Sequence, residues 1–359
     1  MDSKNKYFTK KLLLWNKDEN NRPMPWKGEK DPYKIWLSEI ILQQTRVEQG
    51  WHYYNRFITI YPNVKKLAKA PEKKVFKLWE GLGYYTRCKN LIATARFIAK
   101  ENRGEFPDTY NDILNLKGVG PYTASAIASF AFNLPHAVVD GNVFRVLSRF
   151  FGIDTAIDST AGKNLFTALA QELLDKKLPG IYNQAIMDFG AVICKPKNPL
   201  CGNCPLKTNC VALLQATVDV LPVKAGKLIK KNRWFYYLIV EYNGKIYVRK
   251  RGAKDIWENL YEFILLEAEK SISVEDLKQT LFFKNLVGKN KIEILAVSTI
   301  YRQQLTHQTI NGLFIQLKLK NAIELNEYKG VSFTALKNLP FPKFITGFLA
   351  ENELLAFER

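Results

Sequence analysis

The sequence predicts a two-domain protein in which an all-α domain is followed by an α+β domain. Apolar residues recur at intervals of three and four in the first part of the chain, which is the period of amphipathic helices. From Trp234 onward the segments are rich in β-branched and aromatic residues. A chain of 359 residues is long enough for two hydrophobic cores. We place the helical domain at 1–220, a linker at 221–232 and the second domain at 233–359.

Helices joined by short loops account for the first domain. The helical period is clearest at residues 7–15, 75–79, 91–98 and 165–174. In DPYKIWLSEIILQQTR, which spans 31–46, Asp31 is placed to cap a helix whose first residue is Pro32. Apolar side chains nearly encircle that helix, so we expect it to be buried.

The second domain begins after a basic linker without acidic residues. The segments WFYYLIVEY and KIYVRKR flank Asn243–Gly244, which is a strong signal for a β-hairpin. A second pair of strands is expected near 294–320, and helices are expected near 274–282 and 343–357. These elements predict an α+β domain.

The charge of the chain favours a polyanionic partner. Fifty-three basic and 34 acidic residues give a net charge of +19, which favours nucleic acid over solubility alone as the explanation. No apolar run reaches the roughly 18 residues that cross a bilayer, and the stretch Leu12–Trp15 is too short for a secretory signal. We therefore expect no membrane partner. We also expect a monomer, located in a bacterial cytoplasm and associated with the nucleoid.

Four of the five cysteines form a cluster with the spacing C-x6-C-x2-C-x5-C, at Cys194, Cys201, Cys204 and Cys210. Four thiolates within a short loop can hold a soft metal centre. Spacing alone leaves zinc and an iron–sulfur cluster open. Cys88 stands apart and is expected to be a core residue.

The segment LKGVGPYTA, residues 116–124, predicts a tight turn before a helix. Gly118 and Gly120 permit close approach of the backbone to a ligand, and Pro121 suits the first helical turn. The exposed N–H groups of such a turn suit a DNA phosphate, although a plain interhelical turn has the same pattern.

Two carboxylates occupy unusual positions. Glu39 lies on the helix that we expect to be buried, where desolvation would raise its pKa and make it a general acid. A buried glutamate paired with a basic side chain is the alternative. Asp140 precedes a helical face and is expected to be its N-cap, and the helix start would also keep it ionised. A protonated Glu near an ionised Asp is the arrangement used to cleave glycosidic bonds.

Taken together, these motifs resemble the MutY adenine DNA glycosylases of the helix-hairpin-helix superfamily. The resemblance extends over the whole chain, and it is carried by RPMPW (22–26), 31–46, GLGYYTR (81–87), 116–124, VVDGNVFRVLSR (138–149) and the cysteine loop. It implies a helix-hairpin-helix glycosylase domain with a [4Fe–4S] loop at 194–210, followed by a Nudix-like domain. The implied partner is double-stranded DNA with adenine opposite 8-oxoguanine or guanine.

The resemblance also implies residue roles. Glu39 would protonate the departing adenine, Asp140 would stabilise the sugar cation, and Asn142 and Tyr122 would complete the catalytic set. The implied base-pocket and DNA contacts are Arg22, Trp26, Leu42, Gln43, Gln44, Thr45, Tyr84, Gly118 and Gly120. Gln44 and Tyr84 would act as wedges in the duplex. The cluster ligands would be Cys194, Cys201, Cys204 and Cys210.

In the second domain, Thr306 and His307 stand where this family reads 8-oxoguanine. The domain lacks the acidic helix of Nudix hydrolases, so we do not expect phosphohydrolase activity. Tyr122 stands where bifunctional relatives similar to endonuclease III have a Schiff-base lysine, and tyrosine cannot form that imine. The resemblance therefore implies base removal without strand cleavage. The rivals are an endonuclease III-like enzyme, a non-catalytic lesion-binding protein and a Nudix hydrolase.

Overall fold

The computed structural model describes residues 3–24, 27–226, 230–253, 255–288, 290–323 and 325–351. Trp26, which was predicted to line the base pocket, lies outside these ranges. The chain forms two compact units, one of Met1–Lys69 and Lys89–Lys227, the other of Ala70–Cys88 and Leu228–Arg359. In the described residues, no helix has both the length and the apolar character needed to cross a membrane.

The elements follow one another along the chain as helices first and strands later. The helices are α1 (Ser3–Asp18), α2 (Pro32–Leu42), α3 (Val47–Ile60), α4 (Val64–Ala68), α5 (Glu72–Trp79), α6 (Tyr85–Glu101), α7 (Tyr110–Leu114), α8 (Pro121–Phe132), α9 (Gly141–Phe151), α10 (Thr160–Leu173), α11 (Pro179–Val192), α12 (Val211–Leu214), α13 (Val274–Gln279), α14 (Leu281–Val287), α15 (Phe333–Lys337) and α16 (Lys343–Glu351). The strands are β1 (Lys231–Tyr242), β2 (Lys245–Lys250), β3 (Tyr261–Glu262), β4 (Ile264–Ala268), β5 (Ile292–Val297), β6 (Tyr301–Gln304), β7 (Gln308–Leu319) and β8 (Lys329–Ser332). The predicted helical and β-rich parts are confirmed.

One hydrophobic cluster of the first unit is built from α1, α8, α9, α10 and α11. Aromatic side chains fill it, and Trp15 meets Phe189 edge to face with ring centroids 5.0 Å apart. Phe8 packs against Phe150 at 4.9 Å in the same core. Burying such large apolar side chains is the main stabilising contribution to a helical domain of this kind.

Helix α2 is buried on nearly all sides, as its sequence predicts. Asp31 caps it by accepting a hydrogen bond from the backbone N–H of Tyr33, and Pro32 is its first residue. Its buried positions include Trp36, Leu37 and Glu39, so a carboxyl group is carried into the interior on an apolar helix.

The turn before α8 requires glycine at one position. Gly118 has a φ of +80°, and a Cβ placed there would lie 2.8 Å from the side chain of Asn90. Around Gly120 there is open space, because a Cβ added there would meet nothing within 4 Å. The turn is thus held tightly at Gly118 and leaves room for a ligand beside Gly120.

In the part of the second unit that the structure describes, an α+β structure is built around an eight-stranded mixed sheet. The order along its main path is β3-β2-β1-β7-β5, with β4 paired to β1, β8 to β2 and β6 to β7. Strands β1 and β7 are long and parallel, from Lys231 opposite Gln308 to Glu241 opposite Lys318. The predicted hairpin at Asn243–Gly244 joins β1 to β2, and both turn residues have positive φ, as a tight two-residue turn requires.

Candidate active site and cysteine loop

Glu39 is a buried carboxyl group of the first unit, with 5% of its surface exposed. Burial raises its pKa to about 7; a hydrogen bond from Tyr122 lowers it, and the charge of Asp140 raises it further. No Arg or Lys is among the described groups that shift this pKa. The structure therefore favours a proton donor at Glu39 over the alternative of a buried ion pair.

Asp140 caps α9, as the sequence predicts. The backbone N–H groups of Asn142 and Val143 donate to its Oδ1 atom at 2.8 Å each, and the Asn142 side chain donates to Oδ2 at 2.7 Å. Burial raises the pKa of Asp140, while these three hydrogen bonds and the charge of Arg145 oppose the rise. The groups that favour the charged form are those expected at a helix start, but the net shift of the pKa is upward because the half-buried carboxyl is also desolvated.

A cavity of about 170 Å³ brings the predicted catalytic residues together. Its lining includes Glu39, Tyr122, Asp140 and Asn142. Tyr122 lies at the start of α8, which packs on α2, and its hydroxyl is 3.6 Å from the Met187 sulfur. Arg22, Leu42 and Thr45 line the same cavity, as the resemblance implies. A second cavity, of about 230 Å³, also has Glu39 in its wall.

The sequence analysis missed a polar network on α11 that borders this site. Asp188 has a fully buried side chain, and it accepts hydrogen bonds from Arg22 at 2.8 Å and Gln184 at 2.9 Å. Gln184 lines both cavities beside Glu39. A carboxyl group in the apolar run IYNQAIMDFGAV is the same kind of signal that identified Glu39, so this network was detectable.

Arg145 joins the catalytic cap to the cysteine loop. Its guanidinium donates to Asn142 Oδ1 at 2.8 Å, to the Gly190 carbonyl at 2.6 Å and to the Cys194 carbonyl at 2.7 Å. Asn142 in turn donates a hydrogen bond to Asp140. Arg145, which the sequence analysis also missed, therefore holds the N-cap of α9 against α11 and against the start of the cysteine loop.

The four clustered cysteines face one small cavity of about 30 Å³. In the described part of the chain, no three His, Cys, Asp or Glu side chains close on a point that could hold a single metal ion. Four cysteines lining one cavity are the donor set that iron–sulfur clusters use, and this set fits such a cluster by its chemistry. Burial raises the pKa of Cys204 to about 12, and the neighbouring cysteines raise it further. Bound cations would offset this cost of forming thiolates.

The remaining first-unit residues that were predicted to contact DNA include Gln43 and Gln44, which follow α2 directly. The Gln43 amide donates to Thr123 Oγ1 at 3.3 Å, and Gln44 is exposed with a positive φ of 55°. Gly118 and Gly120 form the turn described above. A non-glycine residue with positive φ is uncommon and often marks a functional segment.

The second unit brings together Tyr84 and Thr306, which are 222 residues apart in sequence. Their hydroxyl oxygens lie 3.1 Å apart, and either one could donate the hydrogen bond. Tyr84 is 46% exposed with a φ of 48°, and the Arg87 guanidinium lies 5.2 Å from its ring centroid. His307 is exposed beside Thr306. The unit thus presents Tyr84, one of the two predicted wedges, together with the predicted reading residues.

Comparison with known proteins agrees with this geometry. Residues 37–172 match the HhH-GPD superfamily of base excision DNA repair proteins, and residues 235–351 match the NUDIX domain family. A thermostable thymine-DNA glycosylase of known structure has a TM-score of 0.55 and 30% identity, covering 59% of this chain and 97% of its own. An endonuclease III in a DNA complex, at 20% identity with a TM-score of 0.50, shows the same helical fold; the match covers 60% of this chain and 99% of that one.

Relatives that match by sequence include two adenine DNA glycosylases. That of Mus musculus is 41% identical over 61% of this chain and 44% of its own length. That of Buchnera aphidicola subsp. Baizongia pistaciae is 34% identical over 86% of both chains. The chain therefore belongs to the adenine DNA glycosylase family and is an enzyme that hydrolyses N-glycosidic bonds.

Proposed function

We propose that this enzyme binds double-stranded DNA and removes adenine paired with 8-oxoguanine or guanine, without cleaving the strand. The observation that carries the proposal is the cavity in which buried Glu39, with a pKa of about 7, faces capped Asp140. Glu39 protonates adenine as the glycosidic bond breaks, and Asp140 stabilises the developing positive charge on the sugar. Water then attacks the sugar, and Glu39 takes up the proton that this water releases.

The absence of strand cleavage follows from Tyr122. Cleavage through an imine needs an amine, and none of the described residues that line the cavity with Glu39 and Asp140 is a lysine. Tyr122 instead gives the carboxyl a hydrogen bond, which favours its charged form after the proton has left. The hydroxyl is thus suited to position Glu39 but not to form a covalent intermediate.

Recognition of the base opposite adenine is assigned to the second unit. Tyr84 is the wedge and Thr306 and His307 are the reading residues, in support of which Tyr84 and Thr306 lie within hydrogen-bond distance. A wedge that fills the space left by the extruded adenine holds the duplex open while the site acts. In the first unit, Gln44 and the turn Gly118–Gly120 complete the DNA contacts.

The cofactor we assign is a [4Fe–4S] cluster held by the four cysteines that line one cavity, Cys194, Cys201, Cys204 and Cys210. When bound, such a cluster would cross-link loop 194–210. The loop cavity and the catalytic cavity share no lining residue. We therefore assign the proton transfers to Glu39 and the stabilisation of the sugar cation to Asp140.

Three labelled duplexes test the proposal. The first contains adenine opposite 8-oxoguanine, the second contains adenine opposite guanine, and the third contains thymine glycol. We expect strand breaks only in the two adenine duplexes and only after alkali. Breaks in the thymine glycol duplex alone would indicate the endonuclease III-like rival, and breaks without alkali would contradict the monofunctional mechanism.

A variant pair tests the role of Glu39 in the same assay. Glu39→Gln is expected to bind the 8-oxoguanine duplex but to lose excision by a factor of about 100 or more. Glu48→Gln, which removes an exposed carboxylate from α3, serves as the matched control and should excise like the wild type. Substantial excision by Glu39→Gln would remove Glu39 from the proposed role.

A further inference from the structure

The hairpin of residues 305–307, between β6 and β7, carries both proposed reading residues; we refer to it as the reading hairpin. It is closed by the Leu305 N–H, which donates to the Gln308 carbonyl at 2.7 Å. From the neighbouring strand β1, the Lys231 N–H donates to the His307 carbonyl at 3.0 Å. The start of β1 and the base of the reading hairpin are therefore one hydrogen-bonded structure.

Arg233 on β1 connects the strands on either side of it. Its Nε and one terminal nitrogen donate to the two carboxylate oxygens of Glu267 on β4, at 2.6 and 2.7 Å. The other terminal nitrogen donates to Gln308 Oε1 at 3.2 Å, in the first residue of β7. The guanidinium also lies 4.8 Å from the ring centroid of Phe235.

Strand registers explain how one side chain reaches both partners. Glu267 is opposite Phe235, and Gln308 is opposite Lys231. Residues 231, 233 and 235 point to the same face of β1 because side chains alternate along a strand. Arg233 thus lies midway between its two partners on that face, and its planar fork suits a bidentate carboxylate with a donor to spare.

We propose that Arg233 is a positioning residue for the reading hairpin and that it increases the discrimination between 8-oxoguanine and guanine opposite adenine. This inference rests on the proposed reading role of Thr306 and His307. The two bases differ at N7 and C8 of the same ring, so telling them apart requires donors and acceptors that are held closely in place. Arg233 supplies that constraint through Gln308, while Glu267 fixes the guanidinium.

The alternative role for an arginine on a DNA-binding protein is a phosphate contact. A phosphate contact contributes equally to both substrates, and lysine replaces it well. A positioning role predicts instead that loss of Arg233 affects the two substrates unequally. It also predicts that lysine fails to replace Arg233, because lysine cannot form a bidentate contact with Glu267 and reach Gln308 at the same time.

The experiment measures single-turnover excision rates and binding constants of the full-length holoenzyme on the 8-oxoguanine and guanine duplexes. The variants are Arg233→Gln and Arg233→Lys. The matched control is Lys318→Gln, which removes one positive charge from the far end of the same β1–β7 ladder, opposite Glu241. We expect the ratio of rates between the two duplexes to fall about 3- to 10-fold in both Arg233 variants and to be unchanged in the control.

Each other outcome decides against the inference. If Arg233→Gln weakens binding and excision equally on both duplexes and Arg233→Lys restores them, Arg233 is a phosphate contact. If the ratio of excision rates between the two duplexes is unchanged, Arg233 does not position the reading hairpin. Hydrogen exchange provides a second readout, since the Lys231 amide should lose protection in Arg233→Gln while amides of α9 keep theirs. A wild-type enzyme that excises adenine equally well from both duplexes would instead refute the proposed reading of 8-oxoguanine, and the inference with it.

Discussion

At the scale of single residues, the site depends on two carboxyl groups, buried Glu39 and half-buried Asp140, that differ in their hydrogen bonds. Both have pKa values raised by burial. Asp140 receives three hydrogen bonds from the start of α9, whereas one hydrogen bond, from Tyr122, favours the charged form of Glu39. The proton is therefore held at Glu39 near neutral pH, which fits the division of labour that we propose.

The pKa of Glu39 predicts how excision depends on pH. Only the protonated carboxyl can donate to adenine, so the single-turnover rate should fall as pH rises through about 7, by about tenfold per pH unit above it. Rates measured from pH 5.5 to 9, roughly the range in which such groups titrate, would show this. Duplex binding measured at each pH is the control. A rate that stays constant or increases up to the alkaline end would contradict the assignment.

The same burial predicts an effect on stability. The folded pKa of about 7 lies above the ordinary value of 4.5, so the contribution of Glu39 to stability is fully present below 4.5 and is lost as pH rises through 7. Glu39→Gln removes this dependence. The free energy of unfolding of this variant should equal that of the wild type near pH 4.5. At pH 8 it should exceed the wild-type value by up to about 3 kcal/mol.

Thermal melts at both pH values check this expectation, with Glu48→Gln as the control for loss of an exposed carboxylate. A stability difference that is the same at the two pH values would mean that Glu39 is not desolvated in solution.

At the scale of elements, α9 performs two functions that the sequence could not separate. Asp140 caps the helix, and it also faces Glu39 across the catalytic cavity. Asp140→Asn keeps an oxygen that accepts from the backbone N–H groups but removes the charge, whereas Asp140→Ala removes both. We expect Asp140→Ala to lose about 1 kcal/mol of stability and Asp140→Asn to lose much less.

Excision separates the two roles. If the charge of Asp140 stabilises the sugar cation, both variants should lose excision by a factor of about 100 or more. The readouts are denaturant unfolding and single-turnover excision on the same preparations. An Asp140→Asn variant with near wild-type excision would leave Asp140 as a cap only.

Local sequence predicted those elements whose cause is local. The cap and first proline of α2, the cap of α9 and the Asn243–Gly244 hairpin each follow from residues adjacent in the chain, and the structure confirms them. The burial of Glu39 was predicted from the helical periodicity of the apolar residues around it. The bridge from Arg145 to the Cys194 carbonyl did not, because it joins residues 49 positions apart and no pattern within α9 indicates its partner.

At the scale of the whole molecule, residues distant in sequence assemble into one unit. Residues 70–88 group with the β-rich unit, and this places Tyr84 beside Thr306. The sequence identified both residues through the resemblance to a family, but it could not show that they share a unit. Pairing over such a separation depends on tertiary packing, which local propensity does not encode.

The net charge of +19 makes a prediction for the entire chain. If it serves DNA binding, affinity should decrease steeply with salt because neutralised phosphates release counterions. With six or more phosphate contacts, the affinity of Glu39→Gln for the 8-oxoguanine duplex should fall by about 1,000-fold or more between roughly 50 and 200 mM salt. This variant is used because it should bind without turnover. A decrease of less than about tenfold would mean that the basic surface is not engaged by DNA and that the excess charge has another role.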